Sequence, residues 1–217
     1  MSGSHRWRFL PGLIVIQACS APNPNVQVRR LADGRLQVKG PLAGPFSTLE
    51  ELAAKSCELM TSQPGASNGK HGFEYCALHY YSKGSFFLSY LSDIGGERQG
   101  GRKFCTIPRS LDDPTHEDVL LLGGAHNHPH NRSFSNTDMS TESHWNPTRL
   151  MDKSTGRVFH RELLMFIREK TGECRAYSYN NATRVVAALR VGKWVPIAKA
   201  YNDAGDIQMF DGQGWLP

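Results

Sequence analysis

The segment Gly124-Ala125-His126-Asn127-His128-Pro129-His130-Asn131-Arg132-Ser133-Phe134-Ser135-Asn136-Thr137-Asp138 gathers the residues of this chain best suited to holding a metal. In extended backbone, residues i and i+2 point to the same side, so His126 and His128 present two imidazoles together. Neutral imidazole is a good ligand for zinc, and a carboxylate ten residues further on, Asp138, supplies a third ligand after a loop. Three protein ligands leave a fourth position for water, which is the arrangement of a catalytic site rather than a structural one. Zinc lowers the pKa of such a water to about 7, which makes a nucleophile available at neutral pH. The expected cofactor is therefore Zn2+.

The elements that must position these residues are legible in part. Val119 to Leu122 is a short apolar run of the kind found in a central strand covered on both faces, and it leads directly into Gly123-Gly124-Ala125-His126. Ser135 reads as the N-cap of a helix running to Ser143. Upstream, Ser47-Thr48-Leu49-Glu50 is a capping box that opens another helix. Leu49, Leu52, Ala53, Cys57 and Met60 fall on one face of it, and it ends before Pro64-Gly65. From Phe73 the pattern changes to strands, Glu74 to Tyr81 and Ser85 to Leu91, with Lys83-Gly84 as the turn. Gly95 to Gly101 holds four glycines and reads as a mobile loop. Leu163 to Ile167 and Cys174 to Tyr179 predict a hairpin about Thr171-Gly172, and Thr183 to Val191 reads as a helix or a strand, with the helix preferred. The sum is an α+β domain built around a mixed β-sheet flanked by helices.

His-x-His-Pro, a loop and Ser-x-x-Asp together resemble the signature of the JAB/MPN (JAMM) zinc metalloproteases. That family also requires a glutamate on a strand after its first helix, and Glu74 stands at the matching place. The resemblance covers roughly residues 47–179 and implies a JAB/MPN (cytidine-deaminase-like) metallopeptidase core. It implies His126, His128 and Asp138 as zinc ligands, and Glu74 as the base that deprotonates water and then protonates the leaving amine. Ser135 would steady the tetrahedral oxyanion. Six residues separate His128 from Ser135, where the usual family pattern has seven. The implied reaction is hydrolysis of peptide or isopeptide bonds.

The N-terminus bears on where such a reaction would occur. Arg6 and Arg8 precede an apolar stretch, Phe9 to Ile16, and then Gln17, Ala18 and Cys19, which describes a secretory signal over residues 1–18. Ile16-Gln17-Ala18-Cys19 also resembles a bacterial lipobox, making Cys19 a candidate for acylation and a membrane anchor. Residues 19–45 then form a tether and a small hairpin about Asp33-Gly34, and residues 46–217 the main domain. Cys57, Cys76, Cys105 and Cys174 remain, an even number suited to an oxidising compartment. Three pairings are open, among which Cys76 with Cys105 would tie two strands flanking the Gly-rich loop. The formal charge of +5 falls to +3 once residues 1–18 are set aside, leaving 23 basic and 20 acidic residues. That balance, without a Lys/Arg run, does not point to nucleic acid. The sequence thus predicts a zinc peptidase or amidase of a bacterial cell envelope, acting on a peptide or peptidoglycan-like substrate. The alternative is a non-catalytic envelope lipoprotein or binding module.

Overall fold

A computed structural model describes residues 21–216. The expected signal segment 1–18 and the anchor residue Cys19 lie outside the described residues. The first strands are β1 (Val28–Arg30), β2 (Leu36–Lys39), β3 (Ala43–Phe46), β4 (Cys76–Ser82) and β5 (Ser85–Leu88). They are followed by β6 (Gly95–Arg98), β7 (Arg102–Cys105), β8 (Ser110–Asp112) and β9 (Leu120–Asn127). After these come β10 (Arg149–Met151), β11 (Val158–His160), β12 (Glu162–Arg168) and β13 (Cys174–Asn180). The last are β14 (Val185–Arg190), β15 (Lys193–Ala200) and β16 (Ile207–Met209). The α-helices among the described residues are α1 (Leu49–Thr61) and the single turn α2 (Asn136–Met139).

This architecture overturns the α+β expectation. The chain is mostly β, organised around a nine-stranded sheet of order β16-β15-β14-β13-β12-β9-β4-β5-β3. Among the described residues only α1 is long enough to cover part of a face, so this is not the helix-flanked core of a JAB/MPN metallopeptidase. One cause is local. The segment expected to be a helix, Thr183 to Val191, is instead β14, paired with β13 and β15. Val185-Val186-Ala187-Ala188 carries both periods, and pairing on two edges overrides the helical preference of its alanines. A tight turn at Val191-Gly192, both at positive φ, closes the β14–β15 hairpin.

Two apolar layers sandwich the sheet. Leu52, Ala53, Cys57 and Met60 of α1 pack on Ala125, Leu164 and Phe166. On the other face Leu163, Met165 and Ile167 meet Phe134, Met139 and Tyr179. Strand β12 therefore alternates between two dry faces, as a central strand must. The N-cap of α1 is Thr48 rather than Ser47: its hydroxyl accepts from Glu51 N, while the Glu51 carboxylate accepts from Ser47 N. The cap is thus one residue later than expected, and the glutamate takes the amide ahead of the N-cap rather than that of the N-cap itself.

Strand β9 is the hinge of the topology. It runs antiparallel to β4, with Cys76 opposite His126, and parallel to β12, with Met165 opposite His126. The connection from β9 to β12 must cross over, and it carries the loop, α2 and the β10–β11 ribbon. Gly123 permits the close approach: a Cβ there would meet the Glu162 carbonyl oxygen at 1.9 Å. The Gly-rich stretch is ordered as the β6–β7 hairpin rather than left as a loop. Two disulfides form, Cys76–Cys105 and Cys57–Cys174. They suggest an extracytoplasmic location. No helix among the described residues is long and apolar enough to cross a membrane.

Candidate metal centre

The site sits at the C-terminal end of β9, where alternation sends His126 and His128 to one face and Asn127 to the other. Both imidazoles are buried. His128 is held in place by its backbone, whose amide donates to Phe166 O at 2.8 Å and so extends the ladder with β12. Asp138 arrives from α2. Ser135 is the N-cap of that turn and Asp138 its third residue, a reciprocal capping box. Asp138 Oδ2 accepts from Ser135 N at 2.8 Å and from Ser135 Oγ at 2.7 Å, which fixes the carboxylate. The six-residue spacing after His128 therefore closes productively. The Ser135 hydroxyl donates its proton to this carboxylate.

His126, His128 and Asp138 form a cluster able to hold a metal ion. Their donor atoms make a nearly isosceles triangle. The two Nε2 atoms are 2.9 Å apart, and each lies 3.8 Å from Asp138 Oδ2. The centre of such a triangle is about 2.1 Å from every corner, which matches the ~2.0–2.2 Å of zinc bonds to imidazole and carboxylate. The tautomer agrees for His128, whose Nδ1 lies 3.2 Å from Asn131 O. A neutral ring donating there leaves its Nε2 lone pair free. His126 Nδ1 is buried with no hydrogen-bond partner among the described residues, and its Nε2 faces that of His128. Burial pushes both imidazoles toward the neutral form, the form that ligates. Burial also opposes ionisation of Asp138, but the two imidazoles and Ser135 outweigh it and hold the carboxyl below its usual range.

Glu74 faces this triangle from the segment preceding β4, with Oε1 3.9 Å from His128 Nε2. Burial, and then the charge of Asp138, raise its carboxyl to about 8, while the Cys105 amide and Arg98 pull the other way. A cation among the three ligands would oppose the effect of Asp138 and favour the ionised form. Glu74 is placed by a residue the sequence reading passed over. The Asn127 side chain accepts from Tyr75 N at 2.7 Å and donates to Phe73 O and Ala66 O, both at 3.0 Å. It therefore pins both sides of Glu74. The signal was available: a polar residue between two ligands on a strand must face the opposite, apolar layer, where its amide needs partners. Gly72 completes the clamp, since a Cβ there would meet Pro129 Cβ at 2.4 Å.

The structure thus brings together His126, His128, Asp138, Glu74 and Ser135. They line a cleft of about 440 Å³, walled by the β6–β7 hairpin and Phe134. His130 lines the cleft but is exposed and stands outside the triangle. Trp145 is buried beneath Arg109 and Arg161. No family model, curated protein or solved structure matches this chain.

Proposed function

We propose that this protein is a zinc-dependent hydrolase of peptide or other amide bonds, working outside the cytoplasm. The observation that carries this reading is the convergence of two neutral imidazoles and one carboxylate on a point at zinc-bonding distance, with a second carboxylate facing it. In sequence the donor pattern is similar to that of the JAMM metalloproteases; the sheet that presents it is built differently. Zinc, when bound, supplies Lewis-acid polarisation of the scissile carbonyl and of the attacking water.

The chain's own residues supply the rest. His126, His128 and Asp138 bind the ion, and Ser135 orients Asp138. Glu74 takes one proton from the attacking water as the oxygen bonds to the carbonyl carbon. It then delivers that proton to the amine nitrogen as the carbon–nitrogen bond breaks. Asn127 keeps Glu74 at the required height. The side chains of His126, His128 and Glu74 are themselves shielded from solvent, which strengthens these charge interactions. The envelope of a bacterium, with Cys19 as a lipid anchor, is the finer location this reading takes from the N-terminal sequence. Peptide stems of the wall are the substrates within reach there.

Metal analysis of wild type and Glu74→Gln, paired with hydrolysis assays, tests the reading. One tightly bound zinc is expected in both proteins, and hydrolysis in wild type alone. Absence of stoichiometric metal from both would remove the basis of the reading. Zinc in both with no hydrolysis of wall peptides or a general peptide library would favour a non-catalytic binding module.

A further inference from the structure

The cleft is bordered by arginines that form no salt bridge among the described residues. In the β6–β7 hairpin, Arg98 and Arg102 stand directly opposite each other. Like charges so placed destabilise a two-stranded ribbon. The neighbouring pair, Glu97 and Lys103, forms a salt bridge, so this ribbon does use charge complementarity one position away. Arg98 lies over the Phe104 ring at 4.9 Å, and neither it nor Arg102 makes an ion pair among the described residues. Both line the cleft that contains the His126–His128–Asp138 triangle.

A second bank lies on the other side of Asp138. There a cavity of about 290 Å³ adjoins the first, sharing Cys105, Ile107, Thr137 and Asp138 with it. Arg109 lines it, with its guanidinium 4.3 Å from the Trp145 ring centroid, and Arg161 lies 5.2 Å from the same ring. Neither has a carboxylate partner among the described residues, and Arg161 Nε is buried without any hydrogen-bond partner. Stacking on an indole holds a guanidinium flat and leaves its donor edge free, the geometry that takes a carboxylate through two parallel hydrogen bonds. The carboxylates nearest the triangle, Glu74 and Asp138, are already occupied as base and ligand.

We propose that the cleft takes an acidic peptide, with carboxylates on both sides of the bond to be cut. One docks on Arg98 and Arg102 and another on Arg109, which Arg161 and Trp145 position. This assignment of substrate class rests on the hydrolase reading, and the test separates the two. A peptide digest is prepared in two forms, native and with every carboxyl group amidated. Retention on immobilised, zinc-loaded Glu74→Gln protein, read by mass spectrometry, scores binding without turnover; cleavage by wild type scores the reaction. Native peptides are expected to be retained about tenfold or more over their amidated forms, the scale of one charge-assisted contact. Arg98→Gln with Arg102→Gln, and separately Arg109→Gln, each remove most of that preference. Lys193→Gln with Lys199→Gln, which removes two charges of β15 that line neither cavity, leaves it in place. No preference, a preference that survives the arginine substitutions, or one that falls equally with the lysine pair overturns the proposal. An intact, arginine-dependent preference without cleavage of either digest refutes the hydrolase reading and leaves acidic-peptide binding standing.

Discussion

Replacing Cys76 and Cys105 by alanine, and in a second protein Cys57 and Cys174, should destabilise the fold by unequal amounts. The bridges span 29 and 117 residues of sequence respectively. A cross-link removes entropy from the unfolded chain in proportion to the logarithm of the loop it closes. That relation gives about 3.6 kcal/mol for the shorter loop and about 4.9 kcal/mol for the longer one. In a domain of this size each kcal/mol moves Tm by ~2–4 °C, so the losses are about 7–14 °C and about 10–20 °C. The difference, about 1.2 kcal/mol, is the sharper quantity, because it depends only on the ratio of the loop lengths. Both pairs include a buried sulfur, at Cys57 and Cys76, so the packing lost is similar in the two variants. Urea unfolding without reductant, followed by circular dichroism, measures both numbers. If the Cys76/Cys105 variant proves the less stable, loop entropy does not explain these bridges. The short one would then be holding native structure in place, namely the hairpin beside the metal centre.

Three further outcomes follow from the same geometry. Ser135→Ala removes the hydroxyl that donates to Asp138 Oδ2; zinc affinity measured by competition with a chromophoric chelator should fall ~10–100-fold. The lost cap should also cost about 1 kcal/mol of stability. Asn127→Ala releases the backbone on both sides of Glu74 while leaving the ligands in place; turnover should fall far more than zinc affinity, and equal losses would refute the positioning role. His79 is fully buried, and burial lowers its pKa to about 4 from the 6.5 of an ordinary imidazole. The unfolded chain therefore takes up a proton between pH 6.5 and 4 that the folded chain refuses, and stability falls as pH falls through that window. The loss reaches about 3 kcal/mol. Comparing unfolding midpoints of wild type and His79→Gln at pH 7 and 4.5 isolates it, and parallel pH profiles would disprove it.

The site was more legible than the fold, for a physical reason. Ligand positions are fixed by short-range rules: alternation on a strand aims His126 and His128, and an N-cap three residues ahead aims Asp138. Such rules act within a few residues and can be read from the chain directly. The fold depends on which strands pair, and that is decided between segments far apart. Val185 to Arg190 shows the difference, since its alanines suit a helix in isolation, but the free edges of β13 and β15 claim it. Arg98 and Arg102 were hidden for the same reason. Within a Gly-rich stretch they read as part of a loop, and only the antiparallel register of β6 and β7 sets them side by side at the cleft.

The alternation along His126, Asn127 and His128 has one more implication. A slip of β9 by a single position would turn both imidazoles into the layer beneath α1 and expose the amide to the cleft. The candidate ligands and Glu74 would be displaced in the same movement, because Asn127, which holds the backbone around Glu74, sits between His126 and His128. The centre therefore has no half-built form along this coordinate. Whatever secures the strand's alignment, Gly123 against Glu162 and Cys76 opposite His126, secures the candidate site with it.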